Sequence, residues 1–168
     1  MKFIRSIMLT VLVILSVCSV VVYTACNKNK CDSVTCLNRG ACDGGYCYCL
    51  TGFEGARCET FSRDKFLYTF SGGDSCGRYP YDQYQVKFLA TLGDTVEMTM
   101  FNILNNPLDS AICTIQSTDS FSFIGSNNST TYSGWGKISN DSLWMTYHVI
   151  HDTTSYDCKY FALKLTRP

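Results

Sequence analysis

Cysteine is the residue type with the most chemistry to offer in this sequence: there are eleven, and eight of them lie between Cys26 and Cys76. Thiols at that density serve either metal ligation or disulfide bonding in an oxidising compartment. Structural zinc sites draw on paired Cys-x-x-Cys knuckles, which the chain lacks, and its two histidines, His148 and His151, are far from the cluster. Disulfides are the expected use. They put the folded part of the chain outside the cytoplasm.

The residues best suited to catalysis are His148, His151, Asp152 and Asp157. Three residues apart on a strand, His148 and His151 face opposite ways, so they make a poor metal pair. A zinc ion would need carboxylates from elsewhere in the chain, and no phosphate-binding loop is present. The sequence therefore calls for no metal and no cofactor. Binding has more to draw on. Tyr79-Pro80-Tyr81-Asp82-Gln83-Tyr84 gathers three tyrosines, and Trp135 and Trp144 follow on later segments. Such side chains stack on sugars or peptides while their polar tips stay wet. Tyr79, Tyr81 and Tyr84 are the candidate ligand contacts, for a carbohydrate or a protein. Trp135 and Trp144 are expected to fill the interior of the domain.

These residues need elements to position them, and the first segment concerns export. Lys2 and Arg5 precede nineteen uncharged, mostly apolar residues, Ile7 to Ala25, which end at Tyr23-Thr24-Ala25-Cys26. This resembles a bacterial lipoprotein signal, with Tyr23 where Leu is usual. The resemblance implies cleavage before Cys26 and lipid on that cysteine, anchoring the protein in the cell envelope and facing the periplasm or the exterior. An uncleaved membrane helix and a plain secretory signal are the alternatives, and both also export the remainder. Without residues 1–25 the chain holds 12 basic and 14 acidic residues, and no basic stripe that would recruit nucleic acid.

After a short tether, residues 26–30, the cysteines run Cys31-x4-Cys36-x5-Cys42-x4-Cys47-x-Cys49-x8-Cys58. Six cysteines allow fifteen pairings, and spacing does not choose among them. Cys49-Leu50-Thr51-Gly52-Phe53-Glu54-Gly55-Ala56-Arg57-Cys58 and Leu37-Asn38-Arg39-Gly40-Ala41-Cys42 resemble the epidermal-growth-factor-like (EGF-like) family, with Arg39 where that family usually has Gly. The resemblance implies a module over residues 31–58 with the pairs Cys31–Cys42, Cys36–Cys47 and Cys49–Cys58. So short a segment cannot bury a working core, and its bonds must supply the stability. Calcium-binding members of the family carry acidic residues before the first cysteine. Here Asn27-Lys28-Asn29-Lys30 would repel the ion.

Residues 66–168 alternate apolar and polar positions at roughly ten-residue spacing, with no sustained helical period. The expected fold is all-β: an antiparallel β-barrel (lipocalin-like) or β-sandwich of about eight strands. A barrel is preferred because closure removes strand edges. Gly72 to Gly77 reads as a turn. Of its three cysteines, Cys113 is flanked by core-type residues, so Cys76–Cys158 is the expected bond and Cys113 a buried thiol. A growth-factor-like module before a small β-domain also resembles envelope lipoproteins of the Bacteroidota. The functional expectation is a non-enzymatic binding or adhesion lipoprotein. An envelope hydrolase with carboxylates in the mouth of the β-domain is the alternative.

Overall fold

A computed structural model describes residues 7–8, 10–17, 30–77 and 82–165, the side chain of Asp82 excepted. Cys26, Tyr79 and Tyr81, named above for lipidation and ligand contact, lie outside the described residues. Residues 7–8 and 10–17 are helical; among the described residues no helix is long and apolar enough to cross a membrane.

The first folded unit is two short hairpins held by three bonds. Strands β1 (Ala41–Asp43) and β2 (Tyr46–Tyr48) pair around Gly44 and Gly45, whose φ of +60° and +93° suit a two-residue turn. Strands β3 (Phe53–Glu54) and β4 (Thr60–Phe61) form the second hairpin. The bonds are Cys31–Cys42, Cys36–Cys47 and Cys49–Cys58, closing loops of sequence separation 11, 11 and 9. Each loop is short, so each bond is worth roughly 2–3 kcal/mol of chain entropy. Arg39 stands at φ +61°, a left-handed conformation that glycine adopts without strain.

The second unit is a closed barrel of eight antiparallel strands. They are β5 (Thr69–Cys76), β6 (Asp82–Ala90), β7 (Glu97–Phe101), β8 (Ser110–Ile115), β9 (Ser120–Asn127), β10 (Thr130–Ser139), β11 (Ser142–His151) and β12 (Thr154–Lys164). Each pairs with the next in sequence, and β12 returns to β5. Connections 128–129, 140–141 and 152–153 have two residues each. They open with Asn128, Asn140 and Asp152 at φ +44°, +53° and +50°, as tight hairpins between twisted strands require.

Gly72–Gly77 is not the expected turn: residues 69–76 are strand. At Gly72 a Cβ would come within 2.0 Å of the Phe161 carbonyl oxygen, so the glycine is there to let β5 and β12 approach. The seam is sealed by Cys76–Cys158, whose residues are direct register partners. Among the described residues Cys113 is the free thiol, fully buried and pushed above its ordinary pKa by that burial.

The core follows from strand alternation. Val86 and Phe88, Met98 and Met100, Phe121 and Phe123, and Leu143, Met145, Tyr147 and Val149 all point inward and are buried. The end nearest the disulfide module is plugged by the connecting segment. Phe66 is fully buried, its ring 5.2 Å from that of Phe121. Arg63 donates from Nη1 to the carbonyl oxygens of Thr91 (3.3 Å), Glu97 (3.0 Å) and Asp94. Ser62 N–H donates to the Gly52 carbonyl, and Gly52, at φ +95°, lies so close to Val96 that a Cβ would meet it at 2.5 Å. The module is seated on the barrel rather than strung from it.

Candidate functional site

Strand parity decides what faces water. On β11 the odd positions 143–149 build the core, so Trp144, Thr146 and His148 must point outward. On β10, Tyr132 and Ile138 are buried and Trp135 points out. The expectation that both tryptophans fill the interior is corrected: Trp135 is 54% and Trp144 52% exposed. The smaller residues of neighbouring positions, Gly134 and Gly136, occupy the inward sites instead. At Gly136 a Cβ would meet the Phe121 ring at 2.3 Å, so an aromatic filled that space first.

The register brings the outward aromatics together with residues that alternation leaves exposed on adjoining strands. Ile112 on β8 pairs with Ile124 on β9. Ile124 is one diagonal step from Trp135, which pairs with Ser122 on β9 and Thr146 on β11. Trp135 is one diagonal step from Trp144, which pairs with Phe161 on β12, ring centroids 4.2 Å apart. Ile112 and Ile124 are 54% and 68% exposed, and Phe161 36%. The result is an apolar stripe crossing five strands on the outside of the barrel, one side chain wide except on β12, where the exposed Leu163 stands beside Phe161. Four inter-strand steps, two of them shifted by two residues along the strand in the same sense, make it about 23 Å long. Gly73, the register partner of Phe161 on β5, ends it with a position that has no side chain. Ser110, Ile112, Ile124, Gly125, Ser126 and Thr131 line a shallow groove at its other end.

The borders of the stripe are polar except on β12, where Leu163, beside Phe161 and in register with Ser142, is also exposed. Ser126, Ser133, Thr146 and Lys159 flank one side; Thr114, Ser122, Lys137 and Ser142 flank the other. Most of the charge nearby is internally compensated. Lys137 Nζ lies 3.3 Å from Asp119, and His148 Nδ1 lies 2.8 Å from Asp157. Asp119 is held below the usual carboxylate range by the Ser117 hydroxyl first and by Lys137 second.

The other sequence candidates are placed elsewhere. Tyr84, expected as a ligand contact, is instead buried: its hydroxyl donates to Asp74 Oδ2 at 2.9 Å, and that of Tyr147 donates to the same oxygen at 2.7 Å. Burial most of all, with the nearby Asp74 carboxylate adding to it, raises both tyrosines well above their ordinary pKa. They stay protonated and serve as donors to Asp74, which is 7% exposed. His148 and His151 do not converge: His148 sits on the outer face with Asp157, while His151 contacts Thr130 (2.7 Å) and Asp152 (3.5 Å) at a hairpin tip. The second buried carboxylate, Asp109, accepts from the Asn127 side-chain amide.

Two local patterns suggest chemistry that the structure does not assemble. Gly73-Asp74-Ser75-Cys76-Gly77 has the Gly-x-Ser-x-Gly spacing of a nucleophile elbow. That motif acts at a sharp strand-to-helix turn, whereas these residues lie along β5, with Ser75 outward and in register with Lys159. Asp74, Cys76 and Cys158 hold an oxygen and two sulfurs within 4.8 Å of one another, but the sulfurs are bonded to each other and unavailable as thiolates.

Fold and site thus define a disulfide-stapled module seated on a filled up-and-down barrel with an aromatic outer face. The chain matches no protein-family model and none of the curated proteins compared with it. Among solved structures it is similar to a redesigned beta barrel, with a TM-score of 0.48 and 9% sequence identity over 62% of this chain and 96% of that one.

Proposed function

We propose that this chain is an exported lipoprotein, anchored through lipid on Cys26, that acts as a non-enzymatic binding or adhesion protein. Its module is of the EGF-like type and serves as a rigid spacer beneath the barrel. The binding surface is the outer apolar stripe, not the barrel mouth. One observation carries this reading: Trp135, Trp144 and Phe161 stand half in water in a continuous line with Ile124 and Ile112. Large apolar side chains scattered singly on a surface need no explanation, but a contiguous line of them marks an interaction site. The interior supports the same view, because its buried carboxylates are already engaged by Tyr84, Tyr147 and Asn127.

The test is an array carrying polysaccharides, oligosaccharides and extracellular proteins, probed with the full chain. At least one signal is expected to disappear with Trp144→Ala, whose fold is checked by its melting curve. An array on which every signal survives that substitution overturns the proposal.

A further inference from the structure

We infer that the stripe takes a neutral, chain-like glycan laid diagonally across strands β8 to β12. The inference rests on the reading of the stripe as a binding surface and adds the class of ligand. Three observations select it.

The first is width. The stripe is a file of five side chains, Ile112, Ile124, Trp135, Trp144 and Phe161, widened only at its β12 end by Leu163. A stable protein–protein contact needs about 800 Å² from each partner and roughly 20–30 residues a side, with a broad apolar centre. A file bordered by polar residues along all but its β12 end has length with little breadth, so it suits a linear polymer. An added β-strand is not that polymer, because the barrel is closed and offers no free edge there.

The second is the alternation of chemistry. A pyranose ring has apolar C–H faces and a rim of hydroxyls. Here the aromatic file meets such faces, while Ser133, Thr146, Ser122, Ser142 and the Lys159 ammonium stand on the two borders to exchange hydrogen bonds. An acyl chain would find those borders hostile, and it would need an enclosed groove to be withdrawn from water.

The third is charge. The other basic side chains beside the file, Lys137 and His148, face Asp119 and Asp157. The face therefore has no concentrated field to attract an acidic polymer, and binding should depend weakly on salt.

The chain supplies its own probe, since Trp135 and Trp144 are its two tryptophans. Indole fluorescence of the full chain is titrated with cellohexaose, laminarihexaose, mannohexaose and chitohexaose, and separately with phosphatidylglycerol vesicles. The self-association of the chain is followed by sedimentation. A saturable change with at least one hexasaccharide is expected, altered less than threefold between low and physiological salt. Trp144→Ala should weaken it at least tenfold, with Trp135 still reporting, and Leu92→Ala, on a loop away from the stripe, should leave it unchanged. No response to any of the four sugars, or equal affinity in Trp144→Ala, overturns the inference. Vesicle binding or self-association that is lost in Trp144→Ala, without sugar binding, overturns the glycan assignment and leaves the stripe as a binding surface. Absence of every response removes both.

Discussion

Removing the bond between Cys76 and Cys158 is expected to cost this barrel more than any other single covalent change. The bond spans 82 residues and sits where the last strand returns to the first, at the end of a ladder running from Phe70↔Lys164 to Cys76↔Cys158. In the chain-entropy treatment a loop of that length restricts the unfolded chain by about 4.5 kcal/mol at 25 °C. Cys76→Ala with Cys158→Ala leaves small apolar side chains in the same buried positions, so little repacking is added to that figure. For a domain of this size each kcal/mol moves the midpoint by about 4–8 °C, which gives a fall of roughly 20 °C or more. Thermal melts followed by near-ultraviolet circular dichroism read the barrel through its buried aromatics. The single variant Cys113→Ala, which breaks no bond, is the control and should shift the midpoint far less. A loss below about 1 kcal/mol for the double variant would refute the claim that this bond holds the seam.

Two further perturbations probe how the module is seated and how the barrel responds to acid. Gly52→Ala forces a side chain into a φ of +95° and against Val96, and should destabilise the protein by about 1–3 kcal/mol in denaturant titrations; an unchanged midpoint would mean the module does not rest there. Asp94 is held below the usual carboxylate range by backbone N–H groups of Val96 and Glu97, with Arg63 adding a smaller effect. A depressed folded-state pKa gives stability that is present above the unfolded value near 4 and is lost as pH falls through the folded value. Melts of wild type and Asp94→Ala should thus differ by a constant amount at neutral pH and converge in strong acid, and a gap independent of pH would contradict this.

Much of the fold could be read from the sequence because strand alternation and cysteine spacing are local signals. The runs at Val86–Phe88, Met98–Met100 and Leu143–Val149 carry a period of two, and the barrel's core is built from those positions. The bonds in the structure are the pairs that the EGF-like resemblance implies, together with the pair expected from the two cysteines outside apolar flanks. Gly72 misled because glycine signals a turn locally, while its role is set by Phe161 and Ala162 some ninety residues later. The site was harder to see. Parity along β11 shows that Trp144 and Met145 cannot both point inward, but not which one does. That choice depends on register with β10 and β12, which pairs Met145 with the buried positions Gly136 and Tyr160. Ile112, Ile124 and Phe161 were missed because apolar residues on both faces of a strand read as a buried run. A closer count of parity in Ala111–Ile115 and Phe161–Leu163 holds the signal that would have flagged them.

The two tryptophans lie outside a filled barrel, half exposed. Acrylamide quenching of indole fluorescence, measured on wild type and on each of Trp135→Phe and Trp144→Phe, tests this without knowledge of any ligand. Each remaining indole is predicted to emit at the long wavelength of a wet environment and to be quenched readily. A blue-shifted, quencher-resistant signal from either one would place that side chain in the core and contradict the account.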